Sequence, residues 1–243
     1  MKYVLIIGAK GSIAKETAKL YAKKGYNLYL AARNVNDLKD FALNLKTTSG
    51  QEIRLVEFDV LKKKNHRSIY ENLTEKPFGV ICCSGYLGNQ IIAQNDSSET
   101  EKIIDTNFSG VVNILNIISN DFEKKRSGFI VAISSVAGDR GRKRNYIYGS
   151  SKAALSEYLS GLRNRLYKSN INVITIKPGF VYTKMTSHMN LPKILTAKPI
   201  DVANDIYNAQ LRNQNVIYTK SIWRIIMSII KIIPETVFKR MNF

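Results

Sequence analysis

The 243-residue chain is poor in the residues that build cross-links and metal sites. It has only two cysteines, Cys82 and Cys83, which are adjacent, and only two histidines. Adjacent cysteines give neither a disulfide framework nor a C-x-x-C pair for zinc, so no metal site is predicted and a cytoplasmic location is expected. Both thiols are expected to be buried as small apolar groups. His66 and His188 belong to no strand-end motif and are expected to be surface or structural residues.

Long hydrophobic runs are also absent. No stretch reaches the roughly 18 uninterrupted apolar residues of a membrane-spanning helix. The apolar run at residues 3 to 7 is too short for the core of a signal peptide and predicts a first strand. The longest apolar segment, residues 222 to 233, is interrupted by three polar residues.

Acidic residues are scarce relative to basic ones. Nineteen Asp and Glu stand against 37 Lys and Arg, which leaves a formal charge of +18. This excess favours an anionic partner, such as a phosphorylated ligand, an acidic lipid surface or a nucleic acid. No nucleic-acid recognition motif accompanies the charge, so nucleic-acid binding is not expected.

Short apolar runs alternate with segments of helical period, which predicts a doubly wound α/β fold. The predicted strands are 3–7, 27–31, 53–58, 79–83, 128–133, 172–176 and 216–218. The predicted helices are 12–24, 35–46, 61–73, 99–122, 146–167 and 201–211. Strands separated by helices indicate a mostly parallel, seven-stranded sheet of Rossmann type with right-handed crossovers. Residues 1–219 form a single domain in this interpretation, and residues 220–243 form a tail.

A glycine-rich turn follows the first predicted strand. Gly8 and Gly11 precede Ser12 and Ile13 at the start of the first helix, where backbone N–H groups can bind a pyrophosphate. The spacing is G-xx-G-xx-A, with Ala14 in place of the usual third glycine. Tight turns also need glycine for conformational reasons, so this turn alone leaves a purely structural role open.

The residues after the second strand bear on the choice of cofactor. An NAD site usually places an acidic residue there for the ribose 2′-hydroxyl, and this chain has Arg33 instead. Together with Lys10 in the glycine-rich turn, Arg33 offers two cations to a 2′-phosphate. NADP(H) is therefore the favoured cofactor and NAD(H) the alternative. Two solvated surface charges would give the same pattern.

Three residues suggest acid–base chemistry. Ser135 closes the fifth strand, and Tyr148 and Lys152 lie four residues apart on one face of the following helix. A neighbouring lysine is expected to lower the pKa of Tyr148 from about 10 towards the working range of a general acid or base. Ser135 could hydrogen-bond a carbonyl oxygen. A Y-x-x-x-K pattern alone also occurs by chance in helices.

The motifs taken in order resemble the short-chain dehydrogenase/reductase family over about residues 2 to 219. The order is the glycine-rich turn, Asp59-Val60, Asn107, Ser135, Tyr148 with Lys152, and the run from Pro178 to Thr183. The family's usual N-N-A-G after the fourth strand is replaced here by residues 82–85, of which only Gly85 matches. This departure bears on local stability more than on chemistry.

The resemblance implies a role for each matching residue. Tyr148 would exchange the proton at the substrate oxygen, Lys152 would hold the nicotinamide ribose and tune Tyr148, Ser135 would position the substrate, and Asn107 would keep a water in the proton relay. The implied cofactor contacts are Gly8, Lys10, Gly11, Ser12, Ile13, Arg33, Asp59, Val60, Gly85, Tyr148, Lys152, Pro178, Gly179, Val181 and Thr183. The resemblance also implies a homodimer or homotetramer formed through helices 99–122 and 146–167.

Two further features suggest a substrate. The loop at residues 139–145 carries four cations and should border the mouth of the site, although a merely solvated loop would look the same. Residues 134–142 and 146–150, together with 177–181 and 185–186, are similar to reductases of decaprenylphosphoryl-2-keto-ribose. We therefore expect an NAD(P)H-dependent reductase of a keto-sugar on a lipid phosphate, in the synthesis of cell-envelope glycan precursors. The alternatives are a soluble 3-oxoacyl or other carbonyl reductase, and a non-catalytic NADP-binding regulator.

The tail has a wide apolar face and a narrow basic one. Such a helix could lie in the bilayer interface, with Trp223 and its isoleucines inserted and its cations on anionic headgroups. We expect peripheral membrane contact through residues 221–243, at the inner face of the membrane. Packing on the sheet or on a partner subunit is the alternative.

Overall fold

A computed structural model describes residues 2–187 and 190–241, so His188 and Phe243, which entered the interpretation above, lie outside the described residues. Its centre is a seven-stranded sheet in the order β3-β2-β1-β4-β5-β6-β9, and every neighbouring pair is parallel. The strands of this sheet are β1 (Tyr3–Ile7), β2 (Asn27–Ala32), β3 (Ile53–Glu57), β4 (Gly79–Cys82), β5 (Gly128–Ile133), β6 (Ile171–Pro178) and β9 (Val216–Thr219). A small second sheet pairs β7 (Phe180–Val181) with β8 (Thr196–Ala197). The doubly wound Rossmann-type fold is confirmed.

Helices flank the sheet on both faces. They are α1 (Ser12–Lys23), α2 (Lys39–Ser49), α3 (His66–Glu71), α4 (Gln90–Ala93), α5 (Ser97–Ile104), α6 (Gly110–Lys125), α7 (Tyr146–Leu166), α8 (Pro199–Leu211), α9 (Ile222–Ile232) and α10 (Glu235–Phe238). No helix within the described residues is long and apolar enough to cross a membrane.

The central strands β1, β4 and β5 contain only hydrophobic residues and glycine because both faces of the sheet are covered there. Along β1, Leu5 and Ile7 pack with α6 and α7, whereas Val4 and Ile6 pack on the opposite face with α1 and α8. Alternate residues of a strand point to opposite faces, so a central parallel strand needs an apolar side chain at every position. This is why continuous apolar runs, and not alternating ones, mark the strands in the sequence.

The predicted helix over residues 99–122 is not continuous. α5 is followed by a π-helical turn at Asp105–Ser109, and α6 begins at Gly110. A Cβ atom on Gly110 would lie 2.3 Å from the Val60 carbonyl oxygen, so the turn is pressed against the loop after β3. π-Helical turns insert one extra residue per turn and are frequent at functional sites.

Other boundaries differ because short or irregular turns carry no clear periodicity. The predicted helix 35–46 is a 3-10 turn, Val35–Leu38, followed by α2. Most of the segment predicted as helix 61–73 is irregular, and only His66–Glu71 is α-helical. The helix α4 and the pair β7–β8 are too short to give a pattern in the sequence. The predicted strands 3–7 and 128–133 match β1 and β5 at both ends, and the ends of the other strands lie within two residues of the prediction.

The tail packs on the body of the fold. α9 follows β9 after a short turn, and Trp223, Met227 and Ile230 are buried in a third apolar cluster with Val136 and Phe238. The cluster covers the loop after β5, at the end of the sheet where ligands bind in folds of this kind.

Candidate active site

One large cavity of about 780 Å³ lies beyond the carboxyl ends of the strands, where the strand order reverses between β1 and β4. The loops after β1, β2, β3, β4, β5 and β6 all contribute to its wall. Its basic lining residues are Lys10, Lys15, Arg33, Arg142, Lys152 and Lys184. Asp59 is the acidic residue that lines it within the described part of the chain. The cavity therefore favours an anionic ligand.

The glycine-rich turn forms one end of this cavity. α1 begins at Ser12 after Gly11, and no side chain caps its first turn. The first N–H groups of a helix have no partner within it, so this end can receive a pyrophosphate. Gly8 has φ +81°, and a Cβ atom there would lie 2.9 Å from the Ser84 nitrogen. Glycine is therefore required at position 8, because the loop after β4 crosses closely over the turn. With its free N–H groups, the turn fits the pyrophosphate of a dinucleotide.

The two cations predicted for a 2′-phosphate both line the cavity. Arg33 is exposed on the turn after β2, and the Glu57 carboxylate holds that turn by accepting from the N–H groups of Asn34 and Val35 at 2.9 Å each. Lys10 forms an exposed ion pair with Asp37, which the sequence interpretation missed. Asp59 and Val60 line the wall next to them. A phosphate placed here would compete with Asp37 for Lys10.

Ser135 and Tyr148 are brought together by close contact between the loop after β5 and α7. A Cβ atom on Gly138 would lie 2.7 Å from the Ala153 nitrogen, and one on Gly149 would lie 2.8 Å from the Ala137 oxygen. These two glycines let the backbone of the loop touch the helix. As a result, the Ser135 hydroxyl hydrogen-bonds the Tyr148 phenol.

The proton affinities differ from the prediction. Burial raises the pKa of Tyr148 to about 12, while the hydrogen bond from Ser135 lowers it. The predicted lowering by Lys152 is wrong for the protein without cofactor. The ammonium donates to the Ile133 carbonyl at 2.9 Å and lies 5.8 Å from the centre of the Tyr148 ring. Burial in turn lowers the pKa of Lys152 to about 8.

Asn107 is buried in the π-helical turn and does not line the cavity. Its amide oxygen accepts from the Tyr86 N–H at 3.0 Å, and its amide nitrogen donates to the carbonyls of Tyr86 and Ile103 at 2.7 and 2.8 Å. A Cβ atom on Gly85 would meet the Asn107 amide oxygen and the Lys152 ammonium at 3.5 and 3.6 Å. Asn107 therefore holds the loop after β4 by hydrogen bonds to its backbone, and it lies close to Lys152.

The remaining residues singled out in the sequence take structural places. His66 is fully buried, its ring stacks on Phe58 at 4.7 Å, and its Nε2 lies 3.1 Å from the Asp59 carbonyl, which confirms a structural role. Cys82 is buried in the core, where burial raises the pKa of its thiol. Cys83 is half-buried and lines the cavity.

The run after β6 forms the opposite wall, and the tail helix completes it. Pro178, Gly179, Val181 and Thr183 all line the cavity, as does Trp223 from α9. A Cβ atom on Gly179 would lie 2.1 Å from the Trp223 indole. The sequence interpretation therefore missed a cavity residue that only the packing of α9 reveals.

Trp223 is held from several sides. Its indole nitrogen donates to the Leu195 carbonyl at 3.0 Å, and its ring meets Phe180 edge-on at 5.4 Å. Only 4% of the residue is exposed. The expectation that Trp223 inserts into a bilayer is therefore wrong.

The cationic loop divides between the tail and the cavity. Arg140 donates to the carbonyls of Ile230 and Ile233 at 2.8 and 2.6 Å and to the Glu235 carboxylate at 2.8 Å, so it holds the end of α9 and does not border the mouth. Lys143 and Arg144 are exposed and do not line the cavity. Of the four cations, Arg142 reaches the cavity wall.

Arg142 also contacts the tail. Its guanidinium lies 3.1 Å from the Met227 sulfur of α9. Next to it, the buried Asp139 carboxylate accepts from the Lys177 ammonium at 2.6 Å and from the Tyr218 hydroxyl at 2.7 Å. The loop between Ser135 and Tyr148 is therefore fixed to β6, β9 and α9.

Comparison with known proteins agrees with this geometry. Residues 2–193 match the family model for short chain dehydrogenase. An uncharacterized oxidoreductase of Mycobacterium tuberculosis (strain ATCC 25618 / H37Rv) is 31% identical over 241 residues, which cover 98% of this chain and 96% of that protein.

Solved structures show the same fold. A short-chain dehydrogenase from Sphingobium yanoikuyae in complex with NADPH superposes with a TM-score of 0.83 at 20% identity, covering 97% of each chain. A short chain dehydrogenase from Burkholderia cenocepacia in complex with NADP gives 0.84 at 17% identity, covering 99% of this chain and 98% of that one.

Proposed function

The chain belongs to the short-chain dehydrogenase family of NAD(P)-dependent oxidoreductases, and from that premise we propose that it uses NADP(H) to reduce a keto group. The observation that carries the proposal is a single cavity with an uncapped helix N-terminus and two cations at one end, and Ser135, Tyr148 and Lys152 at the other.

The residues of the cavity fit a dinucleotide phosphate. Gly11, Ser12 and Ile13 would hold the pyrophosphate with backbone N–H groups, because no side chain in the described part of the chain caps that helix end. Arg33 and Lys10 would bind the 2′-phosphate, and Asp59 and Val60 would contact the adenine. Gly85, Pro178, Gly179, Val181 and Thr183 would border the nicotinamide. The NADPH and NADP in the two similar structures support this choice over NAD(H).

The protein's own part in the reaction is to orient the ketone and deliver a proton. When bound, NADPH supplies the hydride. Ser135 donates a hydrogen bond to the substrate oxygen, and Tyr148 transfers its proton to that oxygen as negative charge develops there. A phenol with a pKa of about 12 is fully protonated at neutral pH, which suits a proton donor. Lys152 would bind the nicotinamide ribose and, as a cation, stabilise the phenolate that remains.

For the substrate we propose a keto-sugar carried on a lipid phosphate, used in the synthesis of cell-envelope glycan precursors. The cavity lining includes Arg142 and Lys184 as well as the apolar side chains of Leu87, Met185 and Trp223. A cation beside apolar side chains suits a ligand that has both an anionic group and a hydrophobic chain. The similarity of segments within residues 134–150 and 177–186 to reductases of decaprenylphosphoryl-2-keto-ribose supports the same substrate class.

The proposal extends to the assembly and its location. We propose a catalytic domain at residues 1–219 with an attached tail at 220–243, and a homodimer or homotetramer formed through α5, α6 and α7. The enzyme would work in the cytoplasm at the inner face of the membrane, with peripheral contact through the tail.

The test begins with the cofactor and then compares substrates. Purified protein is titrated with NADPH and NADH, and NADPH oxidation is followed with a polyprenyl-phosphate keto-sugar and with soluble ketones and 3-oxoacyl thioesters. We expect tighter binding of NADPH and turnover of the lipid-linked keto-sugar. If the protein efficiently turns over only a soluble thioester or a simple ketone, the proposed substrate is wrong and the protein is a soluble carbonyl reductase.

Tyr148→Phe tests the mechanism. Removing the hydroxyl removes the proton donor, so we expect kcat to fall by about 10²–10⁴-fold, the range for loss of a general acid. NADPH binding should stay within about twofold. Unchanged turnover in this variant would take Tyr148 out of the mechanism, and absence of turnover in both proteins with NADPH bound would favour a non-catalytic regulator.

A further inference from the structure

The outer side of α9 carries a stripe of isoleucines that nothing in the described chain covers. Ile225, Ile229 and Ile232 are 64%, 56% and 79% exposed, and Ile222 at the start of the helix is 42% exposed. Positions 222, 225, 229 and 232 fall on one face of a helix that turns 100° per residue. We call these four residues the isoleucine stripe.

The stripe is separate from the face that holds the tail on the protein. Trp223, Met227 and Ile230 are 4%, 0% and 9% exposed and point into the fold. Most soluble helices have a single apolar face, which is buried, and their other face is polar. α9 has a buried apolar face and an exposed apolar face. Packing in the core does not explain why the exposed face is apolar.

The tail that carries the stripe has an excess of positive charge. Residues 220–243 contain five cations, Lys220, Arg224, Lys231, Lys239 and Arg240, and one acid, Glu235, which Arg140 binds. Arg224 and Lys231 are exposed and seven residues apart, so they lie on one side of α9, between the stripe and the buried face. Long basic side chains can place their charge at headgroup level while their stems lie along an apolar surface.

Another exposed apolar side chain lies near the start of α9. Ile194 is 79% exposed, and its carbonyl accepts from the Lys220 ammonium at 2.8 Å, so it lies next to the start of α9. Its neighbour in the sequence is Lys193, also exposed.

From these observations we infer that the isoleucine stripe docks the protein on an anionic lipid surface. A helix in the plane of the interface needs an apolar face, basic residues beside it and no capacity to span the bilayer, and α9 with 11 residues meets all three conditions. A second copy of the chain is a less suitable partner for the stripe than a lipid surface. In a two-fold contact the exposed Arg224 and Lys231 of each copy would lie near those of the other copy. The four side chains of the stripe also expose less than the roughly 800 Å² per partner that stable interfaces bury.

Docking in this way would bring the cavity to the lipid. Trp223 lines the cavity wall from the side of α9 opposite the stripe, and Met227, on the same side, contacts Arg142 of the cavity. One helix therefore faces the cavity on one side and solvent on the other. This deepens the proposed function and rests on it for the idea that the substrate is lipid-borne, whereas lipid binding itself needs no substrate.

The experiment is co-sedimentation of the full-length protein with vesicles, without cofactor or substrate. Vesicles of phosphatidylglycerol and phosphatidylcholine in equal parts are compared with vesicles of phosphatidylcholine alone. The test variant is Ile225→Ser/Ile229→Ser/Ile232→Ser. The matched control is Leu43→Ser/Ile91→Ser/Leu211→Ser, because those side chains are 65%, 73% and 55% exposed elsewhere on the protein. NADPH binding by each variant checks that the fold is intact.

We expect the wild type and the control to sediment with the anionic vesicles and less with the neutral ones. The stripe variant should lose at least tenfold in partition coefficient while keeping its affinity for NADPH. Wild type that stays in the supernatant, or a stripe variant that sediments like the wild type, overturns the inference. A lower oligomeric mass of the stripe variant by light scattering, without any vesicle binding by the wild type, also overturns it and assigns the stripe to a second copy. If only the keto-sugar assay fails, the conclusion about lipid binding still holds, because the vesicle experiment uses no substrate.

Discussion

Tyr148 and Lys152 have pKa values that differ from those of ordinary exposed side chains. Tyr148 keeps its proton to a pKa of about 12, and Lys152 releases its proton near pH 8. Both shifts come mainly from burial, which disfavours the charged form of each group. Buried ionisable groups with perturbed pKa values are typical of catalytic sites.

The shift of Lys152 predicts a pH-dependent cost in stability. Its pKa is about 8 in the folded protein against an ordinary 10.5, so between these values the unfolded chain binds more protons and stability rises with pH. Lys152→Met removes this cost. Relative to the wild type, the variant's free energy of unfolding should increase by about 3 kcal/mol as the pH falls from 10.5 to 8. Below pH 8 the difference should increase no further.

Denaturant unfolding of the cofactor-free proteins from pH 7 to 10.5 measures this change. Lys19→Met is the control, because that lysine is 54% exposed in its side chain and should show no such trend. A constant difference between Lys152→Met and wild type across this range would contradict the lowered pKa.

Arg33 gives the second prediction at this scale. If its guanidinium binds the 2′-phosphate, Arg33→Ser loses a charge-assisted contact, and the Kd for NADPH should rise at least tenfold, since such contacts contribute about 1.5–3 kcal/mol. The Kd for NADH should change less than twofold. Fluorescence titration measures both. The control is Arg67→Ser, an exposed arginine on α3 outside the cavity lining, and an equal loss for both cofactors would refute the assigned role.

At the scale of single elements, two helices owe their positions to glycines. Gly149 at the start of α7 allows contact with the loop after β5, and Gly179 after β6 allows contact with Trp223 of α9. In each case a backbone atom or ring lies where a side chain would begin. These glycines are needed for close packing, and neither has a positive φ.

Gly179→Ala should therefore displace the tail helix. The new Cβ atom would lie 2.1 Å from the indole of Trp223, and overpacking of this kind costs about 1–3 kcal/mol. We expect a lower melting temperature and faster proteolysis within residues 220–241. Gly161→Ala is the control, because nothing lies within 4 Å of that position on α7 and alanine is favoured in helices by about 1 kcal/mol. If Gly179→Ala melts like the wild type, the tail can shift at no cost.

At the scale of the whole molecule, the tail packs against the segments that form the wall of the active-site cavity. Val136 from the loop after β5 and Phe180 from β7 pack in one cluster with Trp223 and Met227 of α9, while Arg140 binds the carbonyls that end this helix. The tail therefore belongs to the structure that shapes the cavity as well as to the proposed lipid contact.

Truncation after Lys220 should accordingly damage more than membrane contact. It exposes the apolar cluster under α9 and removes Trp223 from the cavity wall, so we expect a lower melting temperature and reduced NADPH oxidation even with a small soluble ketone. Calorimetry and a lipid-free assay measure the two effects. Unchanged stability and unchanged soluble activity would show that α9 is dispensable for the cavity.

Much of the site was predictable because its residues occupy fixed places along single elements. Ser135 follows a strand, and Tyr148 and Lys152 are one turn apart on a helix, so their proximity follows from backbone geometry alone. Their roles remain predictions. The tuning of their pKa values was not predictable, because the lysine ammonium bonds the Ile133 carbonyl and both groups are desolvated by distant segments.

The sequence by itself determined the parallel sheet, the dinucleotide turn and the candidate catalytic trio, since apolar runs, strand-end residues and helical spacing are properties of short segments. Only the tertiary structure decided where the loop cations point, which face of α9 is buried and what lines the substrate end. Arg140 bonds a carbonyl 90 residues away, and Trp223 meets a glycine 44 positions earlier in the chain. Contacts over such separations depend on how whole elements pack, and no local pattern encodes them.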